Sequence, residues 1–227
     1  MGGVSVIIVN YNVRYFLKQC IQSVLKSHLD TDLEIIVVDN NSSDGSVEML
    51  RKEFPAVHCI SNETNLGFGK ANNMAIKMAK GDYVLILNPD TIIEEQTLQI
   101  CFDYLQNNPD AGALGVKMVD GSGTYLPESK RGFPTPLRSF FKISGMASLI
   151  PRSKLFNGYY LGHLDPDSTQ EVDVLTGAFL FTRKTILTEV GGFDEDYFMY
   201  GEDIEICYQI KKLGKKIIYY PFSSIIH

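Results

Sequence analysis

The sequence contains no tryptophan and no excess of basic residues, and its four cysteines lie far apart. A formal net charge of −6 argues against a protein whose main partner is nucleic acid, because phosphate binding requires a basic surface. The cysteines form no C-x-x-C pair and have no histidine at metal-ligand spacing. We therefore expect buried free thiols at Cys20, Cys59, Cys101 and Cys207.

Long apolar runs are absent as well. No stretch approaches the roughly 18 to 20 residues that span a bilayer, and a strand-like run begins within the first few residues, so we expect no signal peptide. With 227 residues, 44% hydrophobic and 21% charged, the chain is long enough to fold without a disulfide or a metal. These features predict a soluble, cytoplasmic protein.

Short β-branched runs alternate with helical periodicity through the first half of the chain. Buried strands are predicted at Val4–Val9, Leu33–Val38, Val57–Ser61 and Tyr83–Leu87. Helices are predicted at Val13–Ser27, Val47–Phe54, Ala71–Lys80 and Thr97–Asn107, with Ser43 or Asp44 capping the second. This alternation is typical of an α/β protein, a Rossmann-like, mostly parallel central sheet flanked by helices.

The second half is less regular. A strand is predicted at Ala113–Val119, and residues 121–160 are expected to form loops and a short helix. The apolar run Val172–Thr182 predicts one long strand interrupted at Gly177. Helices at Lys184–Val190 and Glu202–Leu213 and a last strand at Lys216–Tyr220 follow.

Polar turns follow three of the predicted strands, at Asn10-Tyr11-Asn12, Asp39-Asn40-Asn41 and Asn88-Pro89-Asp90. Each alone is typical of a turn. Ligands of open parallel sheets bind beyond the carboxyl ends of the strands, where all three turns would lie. Together they predict a site with an aromatic face, amides and carboxylates.

Six motifs and a terminal histidine occur in the order seen in family 2 glycosyltransferases: SVIIVNYN, EIIVVDNNSSDGS, NLGFGKANN, YVLILNPD, LTGAFLFTR and GGFDEDYFMYGED. The sequence most resembles the bacterial rhamnosyltransferase-like branch, which builds surface polysaccharides, and the resemblance covers almost the whole chain. It implies a single GT-A domain over residues 1–227, with a nucleotide-binding half at 1–110 and an acceptor and catalytic half at 111–227.

The resemblance also implies an inverting transfer of a sugar from a UDP- or dTDP-sugar to a hydroxyl of a glycan or lipid-linked glycan. Asp203 would be the general base, Asp90 and His227 would bind Mn²⁺ or Mg²⁺, and Gly177 and Glu202 would contact the acceptor. The nucleotide would be bound by Asn10, Tyr11, Asn12, Asp39, Asn65, Gly67, Asn72, Asn88 and Asp90.

The sequence departs from the family pattern at one position, since Asn88 stands where the Asp-x-Asp motif has its first aspartate. One charge is therefore missing from the expected metal site, and we expect weaker metal binding. The chain also stops where relatives usually continue, so we expect it to lack acceptor-binding elements.

The stretch Leu137–Lys154 combines basic residues with apolar ones. Two interpretations are open: an acceptor loop with a solvated basic face, and peripheral contact with an anionic membrane at its inner face. The apolar residues are Phe140, Phe141, Ile143, Met146, Leu149 and Ile150, and the basic residues from Leu126 to Tyr160 are Lys130, Arg131, Arg138, Lys142, Arg152 and Lys154.

Three alternatives to a glycosyltransferase are weighed. A dinucleotide-binding oxidoreductase would need the full G-x-G-x-x-G motif, but position 72 is asparagine. A sugar nucleotidylyltransferase would need a glycine- and arginine-rich loop after the first strand, which is absent. A catalytically degenerate domain that only binds nucleotide sugars stays open because of Asn88.

Overall fold

Parallel strands joined by helices form the first half of the chain, as the alternating pattern predicts. The computed structural model describes residues 2–144, 153 and 157–227. The parallel strands lie in the order β3-β2-β1-β4 and are β1 (Val4–Asn10), β2 (Leu33–Asp39), β3 (His58–Ser61) and β4 (Tyr83–Leu87). The helices between and after them are α1 (Arg14–Leu25), α2 (Ser46–Glu53), α3 (Phe68–Met78) and α4 (Thr97–Asn107).

The second half extends the same sheet and makes it mixed. Its strands are β5 (Ile92–Ile93), β6 (Ala111–Val119), β7 (Gln170–Val172), β8 (Phe179–Arg183) and β9 (Lys216–Ile226). Strand β8 is antiparallel to both β4 and β6, whereas β6 and β9 are parallel. The helices are α5 (Pro136–Ile143), α6 (Lys184–Val190) and α7 (Glu202–Lys212), with a 3-10 turn at Pro127–Ser129. In the described residues the sheet thus has nine strands.

Two apolar layers cover the faces of the sheet. Along β1, Val6 and Ile8 join the layer that includes α1, α2 and α4, whereas Ile7 joins the layer that includes α3, α6 and α7. Side chains of a strand alternate between faces, so a strand buried on both sides must be apolar throughout. Cys20, Cys101 and Cys207 are buried in these layers, and Cys59 is half-buried.

Two strand predictions in the second half were wrong. The run Val172–Thr182 is not one strand, because β7 and β8 are separated by residues 173–178, which leave the sheet. Strand β9 continues to Ile226 instead of ending at Tyr220. A register shift between Val116 and Lys117 allows this, since the pairing passes from Tyr220 to Ser224 and skips Pro221, which has no N–H to donate.

The start of α2 also differs from the prediction. The residue before the helix is Gly45, with φ +83°, and not Ser43 or Asp44. Asp44 still accepts a hydrogen bond from the backbone N–H of Ser46 at 3.0 Å, so it satisfies one donor of the first turn.

Not all of the basic residues between Leu126 and Tyr160 are solvated. Lys130 is 2% exposed and donates to the carbonyls of Leu161 and Leu164, and the Arg131 side chain is 13% exposed, so both point inward. Leu137 and Phe140 on α5 are exposed. Met146, Leu149, Ile150, Arg152 and Lys154 lie outside the described residues. No helix in the described ranges has the length and apolar character needed to cross a membrane.

Candidate functional site

A cleft of about 400 Å³ opens beyond the carboxyl ends of β1, β2 and β4. We call it the central cleft. Strand ends and loops from both halves of the chain line it, because residues 173–178 leave the sheet at this edge. Its lining includes Tyr11, Asn40, Asn65, Gly67, Asn88, Asp90, Gly177, Met199, Tyr200, Glu202 and Asp203.

Asn10 and Asp39 lie beneath this cleft and do not line it. Both are fully buried, and the Asn10 amide donates to Asp39 Oδ2 at 2.7 Å. The Asn10 amide also donates to Ser42 Oγ, and Asp39 Oδ1 accepts from the backbone N–H of Ser42. Asn12, at φ +55° in the loop after β1, accepts a hydrogen bond from the backbone N–H of Ser43 in the loop after β2. These bonds fix the two loops against each other.

One wall of the central cleft is formed by the loop at Gly67. Its carbonyl accepts from the Asn40 side chain at 3.1 Å, and its N–H donates to Asn65 Oδ1 at 2.9 Å. Its φ is +80°, and a Cβ there would lie 2.5 Å from the carbonyl oxygen of Phe198. Only glycine fits this approach. Asn72 is buried behind the wall and donates to the carbonyl of Phe68.

Asp90 and His227 meet at the rim of the cleft. Asp90 Oδ1 lies 3.5 Å from His227 Nε2, and the Asn88 side-chain nitrogen lies 3.4 Å from the same ring nitrogen. The two side chains are 47% and 29% exposed, so solvent or a ligand reaches them. In the part of the chain that the structure describes, no three or more His, Cys, Asp or Glu side chains cluster as metal ligands. A cation here would therefore need ligands from elsewhere.

The opposite wall carries an ion pair at the start of α7. Gly201, at φ +104°, turns the chain into the helix, and the Arg131 guanidinium donates to Asp203 Oδ2. The same guanidinium donates to the carbonyl of Leu175 at 2.9 Å. The Arg131 and Asp203 side chains are 13% and 16% exposed, so the pair is mostly shielded from water.

Glu202 is the most buried acid of this wall, at 8% exposed. Its Oε2 atom has no hydrogen-bond partner among the described residues. Burial raises the pKa of Glu202, and the nearby Asp203 charge adds to the rise, while its own backbone N–H and Arg131 oppose it. A buried carboxylate with an unpaired oxygen is costly, which agrees with the raised pKa of Glu202.

The remaining predicted residues frame the opening. Tyr11 is 49% exposed and lines the cleft, as do Met199 and Tyr200. A Cβ on Gly177 would lie 3.6 Å from the Phe68 ring and 3.9 Å from Asp203 Cβ. Gly177 therefore lies between Phe68 and Asp203, and a small side chain there would make only ordinary contacts with them.

The central cleft contains most of the site residues predicted from the sequence and some that were not predicted. The structure gathers Tyr11, Asn65, Gly67, Asn88, Asp90, Gly177, Glu202 and Asp203, and leaves Asn10, Asn12, Asp39 and Asn72 behind or beside it. Residues of the site that were not predicted include Asn40, in the turn after β2, Met199 and Tyr200, and also Arg131, one of the basic residues between Leu126 and Tyr160. Nothing in the spacing of Arg131 and Asp203 signals their pairing.

Comparison with known proteins identifies the relatives of this chain. The sequence profile of the family described as Glycosyl transferase family 2 matches residues 5–185. N-acetylglucosaminyl-diphospho-decaprenol L-rhamnosyltransferase of Mycobacterium tuberculosis is 30% identical over 98% of this chain and 75% of its own length. Rhamnosyltransferase WbbL of Escherichia coli K12 is 27% identical over 99% of this chain and 83% of its own length.

A solved structure of GalNAc-T7 with UDP, GalNAc and Mn²⁺ has the same fold. It superimposes with a TM-score of 0.72 at 16% identity, covering 100% of this chain. The chain spans 44% of the length of that solved chain. At this identity the likeness establishes the fold alone, which confirms the predicted GT-A architecture.

Proposed function

The chain belongs to glycosyl transferase family 2 and is a glycosyltransferase of the rhamnosyltransferase-like branch, and we propose that it transfers a rhamnosyl or related sugar from a dTDP- or UDP-sugar to an acceptor hydroxyl. The proposed acceptor is a lipid-linked glycan, by analogy with the decaprenol-linked acceptor in the name of the mycobacterial relative. The proposed reaction inverts the sugar configuration and contributes to surface polysaccharide synthesis.

One observation carries this proposal. The central cleft joins an aromatic ring and amides at one end to an acidic pair at the other, through Tyr11, Asn65, Asp90, Glu202 and Asp203. A nucleoside has a flat base and hydroxyl groups that suit the first end. A sugar hydroxyl that must lose a proton suits the second.

Asp203 is the proposed general base. It lies at the first turn of α7 and lines the cleft, where an acceptor hydroxyl can approach it. Arg131 holds one of its oxygens and leaves the other free for a proton. We propose that Arg131 is a positioning residue that fixes the direction of the carboxylate. Attack from this side, opposite the departing diphosphate, gives inversion.

Asp90 and His227 are the residues at the rim that would hold a divalent cation. Asp90 Oδ1 and His227 Nε2 lie 3.5 Å apart, close enough for both side chains to contact one ion. Diphosphate oxygens and water would complete the coordination, with Asn88 contributing at most a carbonyl. Such a cation, when bound, neutralises the negative charge that grows on the leaving diphosphate.

The test is donor turnover in matched variants. The rate of dTDP-rhamnose or UDP-sugar hydrolysis is measured with and without Mn²⁺ in the wild-type protein, Asp203→Asn and Asp110→Asn. Asp110 is the control because its side chain is 79% exposed and its nearest cation, the Lys216 ammonium, is as far as 4.0 Å away. We expect Asp203→Asn to lose at least about 100-fold in rate while nucleotide binding persists, because a positioned base contributes roughly this much.

A domain that binds nucleotide sugars without turnover is the second candidate, favoured by Asn88 in place of an acid. The same assay separates the two. Binding of dTDP or UDP with no turnover in wild type, with or without Mn²⁺, supports the binder and rejects the enzyme.

A further inference from the structure

The chain enters α7 through two consecutive residues with positive φ. Tyr200 has φ +69° and Gly201 has φ +104°. Glycine adopts this left-handed region freely, whereas a bulky side chain rarely does, so Tyr200 is a backbone outlier. Tyr200 lines the central cleft and is 84% exposed, more than any other large apolar residue that the structure describes. Packing of its ring against the protein therefore does not explain a tyrosine at this position.

Hydrogen bonds on both sides of Tyr200 hold its backbone in place. The carbonyl of Phe198 accepts from the backbone N–H of Phe68 at 3.1 Å. The carbonyl of Gly201 accepts from the N–H of Glu205 at 2.9 Å, in the first turn of α7. An unfavourable backbone conformation persists only where the surrounding structure imposes it, and such positions cluster at ligand-binding sites. The neighbours of Tyr200 thus fix its place at the cleft.

Tyr200 lies between the two ends of the central cleft. Two residues before it, Phe198 packs on Gly67 at the nucleotide end, since a Cβ on Gly67 would lie 2.5 Å from the Phe198 carbonyl oxygen. Three residues after it comes Asp203, the proposed base. A chain spans at most about 3.6 Å per residue, so the Cα of Tyr200 is within about 7 Å of that of Phe198 and about 11 Å of that of Asp203. Tyr200 therefore stands beside the part of the cleft that joins its two ends.

The transferred sugar must occupy this part of the cleft. Its anomeric carbon lies between the departing diphosphate and the acceptor hydroxyl that the base deprotonates. Sugar rings expose C–H groups on their faces, and an aromatic side chain offers a flat apolar surface that removes such groups from water. Met199 precedes Tyr200, also lines the cleft and is 51% exposed. These two apolar side chains suit a sugar face better than a diphosphate, whose charges need cations or hydrogen-bond donors.

We propose that Tyr200 is a binding residue for the transferred sugar of the donor, an inference that rests on the function proposed above. Its ring packs on a C–H face of the sugar and covers that face from solvent. The nucleoside and the diphosphate do not contact the ring. Tyr200 therefore contributes to the affinity for a nucleotide sugar and not to the affinity for the nucleoside diphosphate.

The test is calorimetric titration of each nucleotide sugar and its parent diphosphate, with Mn²⁺ and no acceptor. The pairs are dTDP-rhamnose with dTDP and UDP-glucose with UDP, and the pair that wild type binds is used for the variants. Tyr200→Asn removes the ring and tolerates the left-handed conformation, whereas Tyr200→Phe keeps the ring. Tyr15→Asn is the matched control, because Tyr15 is 71% exposed on α1 and lies outside the lining of the cleft.

Tyr200→Asn raises the Kd of the nucleotide sugar about tenfold and leaves the Kd of the diphosphate within about twofold of wild type, because only the sugar contacts the ring. Tyr200→Phe and Tyr15→Asn match wild type for both ligands. An unchanged Kd of the nucleotide sugar in Tyr200→Asn overturns the inference. An equal rise for both ligands also overturns it, because it would assign Tyr200 to the nucleotide.

Melting temperatures without ligand exclude a merely structural role. Tyr200→Asn melts no lower than wild type, because the exposed ring buries little surface and asparagine tolerates a positive φ. A lower melting temperature would make Tyr200 a structural residue and would overturn the inference.

The same titrations separate this inference from the proposed function. If wild type binds a nucleotide sugar and Tyr200→Asn binds it with the same Kd, the role of Tyr200 is rejected and the proposed function stands. If wild type binds neither pair of ligands, the proposed function itself fails and the inference fails with it.

Discussion

Replacing Arg131 by methionine removes the guanidinium that holds Asp203 in the central cleft. Both side chains are less than a fifth exposed, at 13% and 16%, so the carboxylate left behind is mostly shielded from water. Removing one partner of a buried pair costs about 3–5 kcal/mol in unfolding free energy. Part of this cost comes from the Leu175 carbonyl, which also loses its donor.

A double-mutant cycle isolates the contribution of the pair. The unfolding free energies of wild type, Arg131→Met, Asp203→Asn and the double variant are measured in urea by far-UV circular dichroism, because the chain has no tryptophan for fluorescence. We expect a coupling energy of about 1–3 kcal/mol. The matched cycle uses Lys18 and Glu53, an ion pair that is 38% and 39% exposed, and should give less than about 1 kcal/mol.

Additivity of Arg131→Met and Asp203→Asn to within about 0.5 kcal/mol would refute the reasoning. It would mean that the two side chains do not stabilise each other in solution. Asp203 would then have no fixed direction at the cleft, and the positioning role proposed for Arg131 would be lost.

Three further changes test other parts of the account. Glu202→Gln should stabilise the protein more at about pH 8 than at about pH 5. Because the pKa of Glu202 is raised in the folded state, the stability that its protonated form gives wild type is present at low pH and is lost as the pH rises through the folded pKa. An equal effect of the substitution on urea unfolding at the two pH values would contradict this. Asp173→Asn should flatten the acid side of the plot of unfolding free energy against pH. Burial raises the pKa of Asp173, but hydrogen bonds from Lys211 and from a backbone N–H outweigh burial, so the pKa is lowered. The stability that this carboxylate contributes is therefore present above about pH 4 and is lost as the pH falls. An unchanged acid transition would contradict this. Gly67→Ala should cost about 1–3 kcal/mol and weaken nucleotide binding, because φ is +80° and the new Cβ meets the Phe198 carbonyl; calorimetry giving wild-type values for both would be inconsistent with the structure.

The first half of the fold was predictable because local sequence and global structure agree there. Tyr83–Leu87 and Thr97–Asn107 were predicted with the observed bounds, since a strand between polar turns and a long amphipathic helix have few alternatives. The polar turns after β1 and β4 were placed at the cleft by a general rule about parallel sheets.

The rest depends on contacts between residues far apart in sequence. Val172–Thr182 is apolar enough for one strand, yet Val174 pairs with Arg131 in an isolated bridge, and the segment leaves the sheet to reach the cleft. Periodicity also cannot show that Asp39 is buried under a loop or that Arg131 meets Asp203 across 72 positions. Such pairings are decided by tertiary packing, which a single sequence does not display.

The binding of a nucleoside diphosphate in the central cleft is the central claim, and thermal unfolding tests it most directly. Melting temperatures are measured for wild type, Asp90→Ala and the exposed control Asp110→Ala, all with the same concentration of dTDP or UDP plus Mn²⁺, set at about 100 times the dissociation constant of the wild-type protein. We predict a rise of roughly 5–10 °C for wild type and the control, from about 2.7 kcal/mol of added stability of the folded state, and a much smaller rise for Asp90→Ala. Equal stabilisation of all three proteins, or stabilisation by NAD alone, would contradict the account.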